Sequence, residues 1–343
     1  MSWLWLPVAA AFLIGLLGTG WIRRYALQRS LIDVPNDRSS HTVPTPRGGG
    51  LSLALAYLLG LLLLHFHTDL QPAYVIPLGM GLFVAAVGWR EDHRHIPQLW
   101  RGLLYLSAAA LAVIAAGGLP VIDLGVVSLH WGHIGSVLAV LGIAWLTNLY
   151  NFMDGADALA GLQAVTAGLA GGLMFFWAGA PGPALVALIL AGAAAGFLCW
   201  NWPPAKIFMG DVGSCLLGFA FGVLALVGEL QGTVPVLVWL ILLSFFVWDA
   251  TLTLAARILA GENWYQAHRA HAYQRLLQMG WSHRRLALAF LGGNVLILWP
   301  LAAWAYWYRE AMIAAALLAS LLAIITWYAV RRAHNVNISG GSE

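Results

Sequence analysis

The sequence predicts an all-α, polytopic integral membrane protein of about eleven transmembrane helices. It is read as one domain over residues 1–343, with the N-terminus outside, the C-terminus cytoplasmic and a functional site at the cytoplasmic face. Three observations carry the prediction. Residues are 61% hydrophobic and only 9% charged, with a mean hydropathy of +0.79, whereas a soluble domain carries about 25% charged residues. Apolar runs of spanning length recur along the chain. The cations sort to alternate loops, as the positive-inside rule demands.

The runs lie near residues 3–21, 48–65, 73–89, 103–119, 134–148, 159–178, 184–200, 213–229, 235–255, 286–305 and 311–330. The first, WLWLPVAAAFLIGLLGTGWIRR, has no basic start, and its positive charges follow the apolar stretch. That order suits a first span with an outer N-terminus, not a cleaved signal. Several later runs are rich in Gly and Ala, which lets helices approach closely. With this topology the inner side holds Arg23, Arg24, Arg29, Arg38, Arg47, Arg90, Arg94, Arg101, Lys206, Arg257, Arg269, Arg275, Arg284, Arg285, Arg331 and Arg332, and the outer side only Arg309. Those account for all 17 Lys and Arg residues; an error of one span would scramble the sorting. Trp89, Trp100, Trp200 and Trp202 fall near inner ends, and Trp304, Tyr306, Trp307 and Tyr308 near an outer end, as interfacial aromatics do.

Composition also excludes classes. The net charge is only +3 and no cationic stripe alternates with aromatics, so nucleic acid is not an expected partner. Cys199 and Cys215 lack CxxC spacing and read as small apolar residues. Asp69, Asp123, Glu229 and Glu310 read as solvated outer-end groups, and His65, His67, His130 and His133 carry no expected role. Asp249, inside the ninth run, is compatible with capping, pairing or facing a cavity.

The remaining polar clusters share the inner side. Glu91, Asp92, Asp154, Asp157 and Asp211 sit at span ends, where carboxylates are costly unless solvated or paired. Converging carboxylates without His or Cys partners suit a hard cation, Mg²⁺ above all when phosphates complete its shell. Nearby Arg and His suit anionic oxygens. Together these point to phosphoryl chemistry between a soluble donor and a lipid acceptor. In NLYNFMDGADALAG, Asn148, Asn151, Asp154 and Asp157 recur every third residue. On an unbroken helix they would spiral over roughly half the circumference, so one site requires a helix end or re-entrant bend near Gly155; helix capping is the competing explanation. In GDVGS, Asp211 opens the eighth span as a helix cap or a metal ligand. PTPRGGG places Arg47 before a flexible approach of backbone to a ligand, and HRAH sets Arg269 between His268 and His271 as a phosphate clamp.

These motifs resemble the polyprenyl-phosphate N-acetylhexosamine-1-phosphate transferase family, from SSHTVPTPRGGG to HRAH. The pairing of NxxNFMDGxDxLAG with GDxGS is the specific part. The resemblance implies an integral membrane enzyme of the bacterial inner membrane. It moves a sugar 1-phosphate from a UDP-sugar to undecaprenyl phosphate, releases UMP and requires Mg²⁺, with Mn²⁺ as a substitute. It implies Asn151 and Asp211 as metal positions and Phe208 as an aromatic stacking on uracil. Asp154 and Asp157 become the central acidic pair, and His271 with Arg269 holds the donor diphosphate. Asn148, His268 and Arg47 are carried as further substrate-binding residues, and Asp92 and Glu91 as groups acting on the lipid phosphate. Asp92 would deprotonate or position it; a two-step route through phosphorylated Asp154 stays open.

Two departures stand out. Glu91–Asp92 replaces the family's usual aspartate pair, and Tyr273 stands where a second histidine often follows His271. HRAHAYQR is most similar to the branch that initiates O-antigen and lipopolysaccharide glycans with N-acetylated deoxyhexosamines. Peptidoglycan-type and teichoic-type initiation are the alternatives within the family, and membrane lipids and a second copy in a homodimer are the other expected partners. A secondary transporter of an anionic sugar or lipid is the rival of another class; it would set its ligand groups near the bilayer midplane instead of at inner helix ends.

Overall fold

The computed structural model describes residues 5–29, 31–35, 43–67, 72–119, 121–263 and 268–340. Arg38 and Asp69, and the SSHT part of the first motif, lie outside them. Helix occupies most of the described part of each expected apolar run. In order the helices are α1 (Trp5–Leu13), joined through a π-turn to α2 (Thr19–Gln28); α3 (Leu51–His67), α4 (Pro72–His93), α5 (Gln98–Ala115), α6 (His133–Phe152), α7 (Leu159–Trp177), α8 (Pro181–Asn201) and α9 (Asp211–Leu230). There follow α10 (Val236–Leu242), α11 (Ser244–Leu259), the short α12 (Ala272–Gln278), α13 (His283–Gly293) running through a second π-turn into α14 (Trp299–Trp307), and α15 (Met312–Gly340). Strands are confined to two small antiparallel pairs, β1 (Ile32–Asp33) with β2 (Thr45–Pro46) and β3 (Val121–Asp123) with β4 (Ser128–His130). The protein is all-α and polytopic. Among the described residues eight helices are long and apolar enough to cross a membrane, nine if the bent α10–α11 pair is one span.

Burial explains the arrangement. α9 is almost wholly enclosed, and α7 and α8 are mostly so, so these helices are apolar all round, as an inner helix must be. The helices around them expose large apolar residues, including Leu6, Ile114, Leu141, Leu296 and Leu317. In water that surface would be untenable, whereas lipid accepts it. Small residues let the backbones touch. A Cβ on Gly196 would meet the Phe12 carbonyl of α1, and one on Gly218 the Leu146 carbonyl of α6.

The ninth run differs from an uninterrupted span. α10 and α11 meet at 80° around Leu243. A bend frees a carbonyl that lipid cannot satisfy. Here the buried Gln163 of α7 donates Nε2 to Leu242 O at 3.0 Å, and Ser244 Oγ donates to Leu240 O at 2.8 Å.

Of the acids expected to be solvated at outer ends, Glu310 is exposed, whereas Glu229 is held by the protein. Glu229 accepts the backbone N–H of Asp123 (2.5 Å) and of Val236 (2.8 Å). Asp123 pairs with Arg309 at 3.0 Å, and Arg309 also donates to Gly232 O. Three loops are thereby tied at the end of α9 remote from Asp211.

Candidate functional site

At the opposite end, helix termini and loops converge on Asp211, the first residue of α9. Its placement starts with glycines. Gly210 has φ +78°, and a Cβ there would sit 2.6 Å from Asp92 Oδ2. The Asp92 carboxylate, at the end of α4, can therefore lie directly on the α9 N-terminus. It accepts Asp211 N–H at 3.0 Å and Val212 N–H at 3.2 Å, satisfying two donors that a helix start leaves open.

Arg47 completes this clamp. The PTPRGGG segment runs beside the segment KIFMGD. Phe208 N–H donates to Pro46 O (2.8 Å), Gly49 N–H to Phe208 O (2.9 Å) and Gly50 N–H to Met209 O (2.8 Å). A Cβ on Gly50 would fall 2.4 Å from Gly213 Cα, so the triple glycine permits direct backbone contact. Arg47 is thereby delivered to Asp92 (2.5 Å) and Asp211 (3.4 Å). Burial weakens the Arg47 charge, but Asp92, Asp211 and Asp33 outweigh it and hold its pKa above the usual arginine value. Phe208 is half-buried in the same strip.

Arg101, at the start of α5, reads in the sequence as one more cation of the expected inner side. It approaches Asp211 at 3.3 Å and Glu91 at 3.5 Å. Glu91 meanwhile accepts Ile96 N–H (2.5 Å) and contacts His95 Nδ1 (3.0 Å), so it organises the α4–α5 turn.

The expected break near Gly155 is present: α6 stops at Phe152 and α7 begins at Leu159. Asn148 and Asn151 occupy the last turns of α6, and Asp154 and Asp157 the connecting loop. Asn151 donates Nδ2 to Ser214 Oγ at 3.0 Å and hydrogen-bonds the Asp211 carboxylate. Asp154 lies within the field of the same cluster. Burial, then the charges of Asp211 and Asp92, raise its pKa well above the carboxylate range against the pull of Arg47. Asn148 is half-buried one turn earlier.

Asp157 takes a different direction from its expected partner. Its Oδ2 accepts Ala205 N–H at 3.0 Å and its own backbone N–H donates to His283 Nδ1 at 3.1 Å, with Oδ1 3.3 Å from the same nitrogen, fastening the loop to the α8–α9 connection and to α13. Asn201, which no motif singled out, bridges the same pieces. It accepts Ala158 N–H (2.8 Å) and donates to Ile207 O (2.9 Å). Ala158 needs that support, because its φ of +64° is a left-handed conformation that costs a non-glycine residue energy.

The HRAH segment packs against the break. Tyr273 Oη donates to Phe152 O at 3.0 Å, and a Cβ on Gly155 would collide with that hydroxyl. The buried His271 ring lies 6.2 Å from the Phe152 ring and 4.8 Å from His268. Burial, then the neighbouring His271 and Arg257, push the pKa of His268 down to about 4. His268 is therefore neutral at pH 7 in the protein alone, and Arg269 is the segment's fixed cation. Asp249, undecided from sequence, accepts Ala272 N–H (2.8 Å) and Tyr273 N–H (3.3 Å) from the start of α12.

The donor set decides which ion fits. Asp211 and Asp154 offer oxygen ligands, and Asn151, whose Nδ2 donates to Ser214 Oγ here, would add a third by turning its amide oxygen inward. Among the described residues no three His, Cys, Asp or Glu side chains converge at ligand spacing. That disfavours a fully protein-caged ion. It fits a hard cation taking few protein oxygens and filling its shell with water and phosphate, as Mg²⁺ does.

Comparison with known proteins agrees with this chemistry. Residues 74–229 match the model of glycosyl transferase family 4. The chain is 30% identical over 313 residues to the decaprenyl-phosphate N-acetylglucosaminephosphotransferase of Mycolicibacterium smegmatis, covering 81% of this chain and 76% of that protein. It is 28% identical to the probable undecaprenyl-phosphate N-acetylglucosaminyl 1-phosphate transferase of Bacillus subtilis, covering 82% and 80%. A shorter match, 33% identical over 190 residues, is to the phospho-N-acetylmuramoyl-pentapeptide-transferase of Moorella thermoacetica, covering 55% and 58%. The chain belongs to glycosyl transferase family 4 and is a phospho-sugar transferase of the polyprenyl-phosphate N-acetylhexosamine-1-phosphate type.

Proposed function

We propose that this enzyme transfers an N-acetylated hexosamine 1-phosphate from a UDP-sugar to undecaprenyl phosphate at the cytoplasmic face of the bacterial inner membrane. In the reaction a lipid-phosphate oxygen attacks the donor's β-phosphorus, the bond from that phosphorus to the bridging oxygen breaks, and UMP leaves. The product is a lipid-linked diphosphate sugar. The observation that carries this reading is the gathering of Asp211, Asn151, Asp154, Arg47 and Arg101 at one end of the helix bundle. A soluble nucleotide and a membrane-held phosphate can meet there.

Asp211 and Asn151 would hold Mg²⁺, with Asp154 beside them; when bound, the ion offsets charge on the diphosphate and on the leaving UMP. Arg101 and Arg47 bring fixed positive charge to the same carboxylates, so incoming phosphate oxygens can replace Asp211 as their partners. Asp92 keeps the α9 N-terminus and Arg47 in place. Arg269 and His271 contribute from the HRAH segment to the diphosphate, and Phe208 supplies an aromatic face for uracil.

HRAHAYQR supports the branch that initiates O-antigen and lipopolysaccharide glycans. Two of the relatives named above, those of Mycolicibacterium smegmatis and Bacillus subtilis, are named for N-acetylglucosamine, so N-acetylglucosamine and its deoxy analogues are the donors to assay first. The test is turnover by Asp211→Ala and Asn151→Ala in the membrane-inserted, purified enzyme with Mg²⁺. Both should lose UMP release; near-normal turnover by either would overturn the metal assignment.

A further inference from the structure

The helix α15 is longer than a membrane requires. It runs for 29 residues, whereas about 20 cross a bilayer. Its apolar stretch ends at Val330, Arg331 and Arg332 follow, and the last turns continue past them on the side of the bundle that carries the HRAH segment. Two polar residues of those turns, His334 and Asn335, touch α12, the short helix that follows His271. The proposed chemistry uses none of these contacts.

The contacts form one series with a fixed direction. Gln278 of α12 reaches back and donates Nε2–H to the Arg269 carbonyl at 2.9 Å. A carbonyl only accepts, so the amide oxygen of Gln278 is the atom that faces α15, 2.7 Å from His334 Nε2. That ring nitrogen therefore carries a proton. Across the ring, His334 Nδ1 lies 3.1 Å from Arg275 Nη1. A guanidinium only donates, so Nδ1 offers its lone pair. Both ends of the series demand the same neutral ring, protonated on Nε2. Arg275 also donates Nε–H to Ala270 O at 2.9 Å and Nη1–H to Asn335 Oδ1 at 3.4 Å. The carbonyls of Arg269 and Ala270, the two inner residues of HRAH, are thus held from α12, and α12 is held from α15.

We propose that His334 is a positioning residue for Arg269. Through Gln278 it fixes the main chain from which the Arg269 side chain reaches the donor's diphosphate. This rests on the reading of Arg269 as a diphosphate-binding cation. His334 touches neither substrate nor reacting atoms in this account.

The test is a double-mutant cycle with His334→Ala and Gln278→Ala in the full-length enzyme. KM and kcat are measured for whichever of UDP-N-acetylglucosamine and its deoxy analogues the wild type turns over fastest. Loss of a contact that serves bound substrate and transition state alike raises KM and leaves kcat. We expect His334→Ala to raise KM about 3–10-fold, the scale of one hydrogen bond, with kcat little changed. In the Gln278→Ala background the same change should add little, because its route to Arg269 is already cut. A wild-type KM in His334→Ala would overturn the inference. So would a fall in kcat with KM unchanged, or an equal loss in both backgrounds, which marks a merely structural anchor.

A second measurement needs no active variant. Histidine ¹⁵N spectra of the wild-type protein at about pH 8, above the range where imidazoles ordinarily titrate, should show His334, assigned by its absence in His334→Ala, as a neutral ring protonated on Nε2. A ring protonated on Nδ1 would overturn the inference. Failure of the underlying reading has a separate signature, a wild-type KM in Arg269→Ala.

Discussion

Asp92→Asn separates two jobs that one carboxylate could have. If Asp92 only removes a proton from the lipid phosphate, an isosteric amide should abolish turnover and leave the fold untouched. The structure gives it a second task. Its side chain is 1% exposed, accepts two N–H groups at the α9 N-terminus and pairs with Arg47. The amide keeps one acceptor oxygen, but its NH₂ then faces a backbone donor or the guanidinium. Breaking a buried pair costs about 3–5 kcal/mol. Arg47 is one-third exposed and has Asp211 as a second partner at 3.4 Å, so loss of one charge-assisted hydrogen bond, about 2–3 kcal/mol, is the better figure. At roughly 2 °C per kcal/mol for a large chain, the melting midpoint should fall by about 5 °C. Tryptophan fluorescence melts of detergent-purified protein, run beside UMP release, read both effects. An Asp92→Asn enzyme that is inactive yet melts like the wild type would refute the clamp.

Other variants probe other joints. Gly50→Ala places a methyl 2.4 Å from backbone atoms of Gly213; the overpacking should cost about 1–3 kcal/mol and lower activity with stability, measurable by the same melts. Gly155→Ala should be poorly tolerated because its Cβ would strike the Tyr273 hydroxyl; Tyr273→Phe should partly restore expression and activity, and no rescue would count against that packing. Because the folded pKa of His268 lies near 4, below its unfolded value, its contribution to stability is present above pH 6.5. It should be lost as pH falls from there toward about 4. Melts of wild type and His268→Gln across that range should converge at low pH; parallel curves would contradict the assignment.

Much of this was legible in the sequence because lipid imposes simple rules. Spanning helices need long apolar runs, and each of the eleven runs carries helix, although among the described residues only eight or nine helices are long and apolar enough to span. The break after Phe152 was legible too, since Asn148, Asn151, Asp154 and Asp157 could not share a site on one straight helix. Gathering of the distant motifs around Asp211 followed from their common end of the bundle. What sequence could not supply is which way a side chain turns. Asp154 and Asp157 look equivalent at a spacing of three, yet a left-handed residue at Ala158 and an anchor from Asn201 send Asp157 to His283. Arg101 resembles any inner-leaflet arginine until the α4–α5 turn brings it to Asp211. The 80° bend at Leu243 had no proline to announce it, and its compensating donor, Gln163, comes from another helix. Asp249 likewise gained meaning only once α11 met the HRAH segment.

Which bond of the donor breaks tests the central claim most directly. Purified enzyme can be incubated with undecaprenyl phosphate, Mg²⁺ and UDP-N-acetylglucosamine, or its deoxy analogues, labelled with ³²P at the β-phosphorus. The account predicts label in the lipid fraction together with unlabelled UMP. Label released as UDP, with an unlabelled glycolipid, would contradict it.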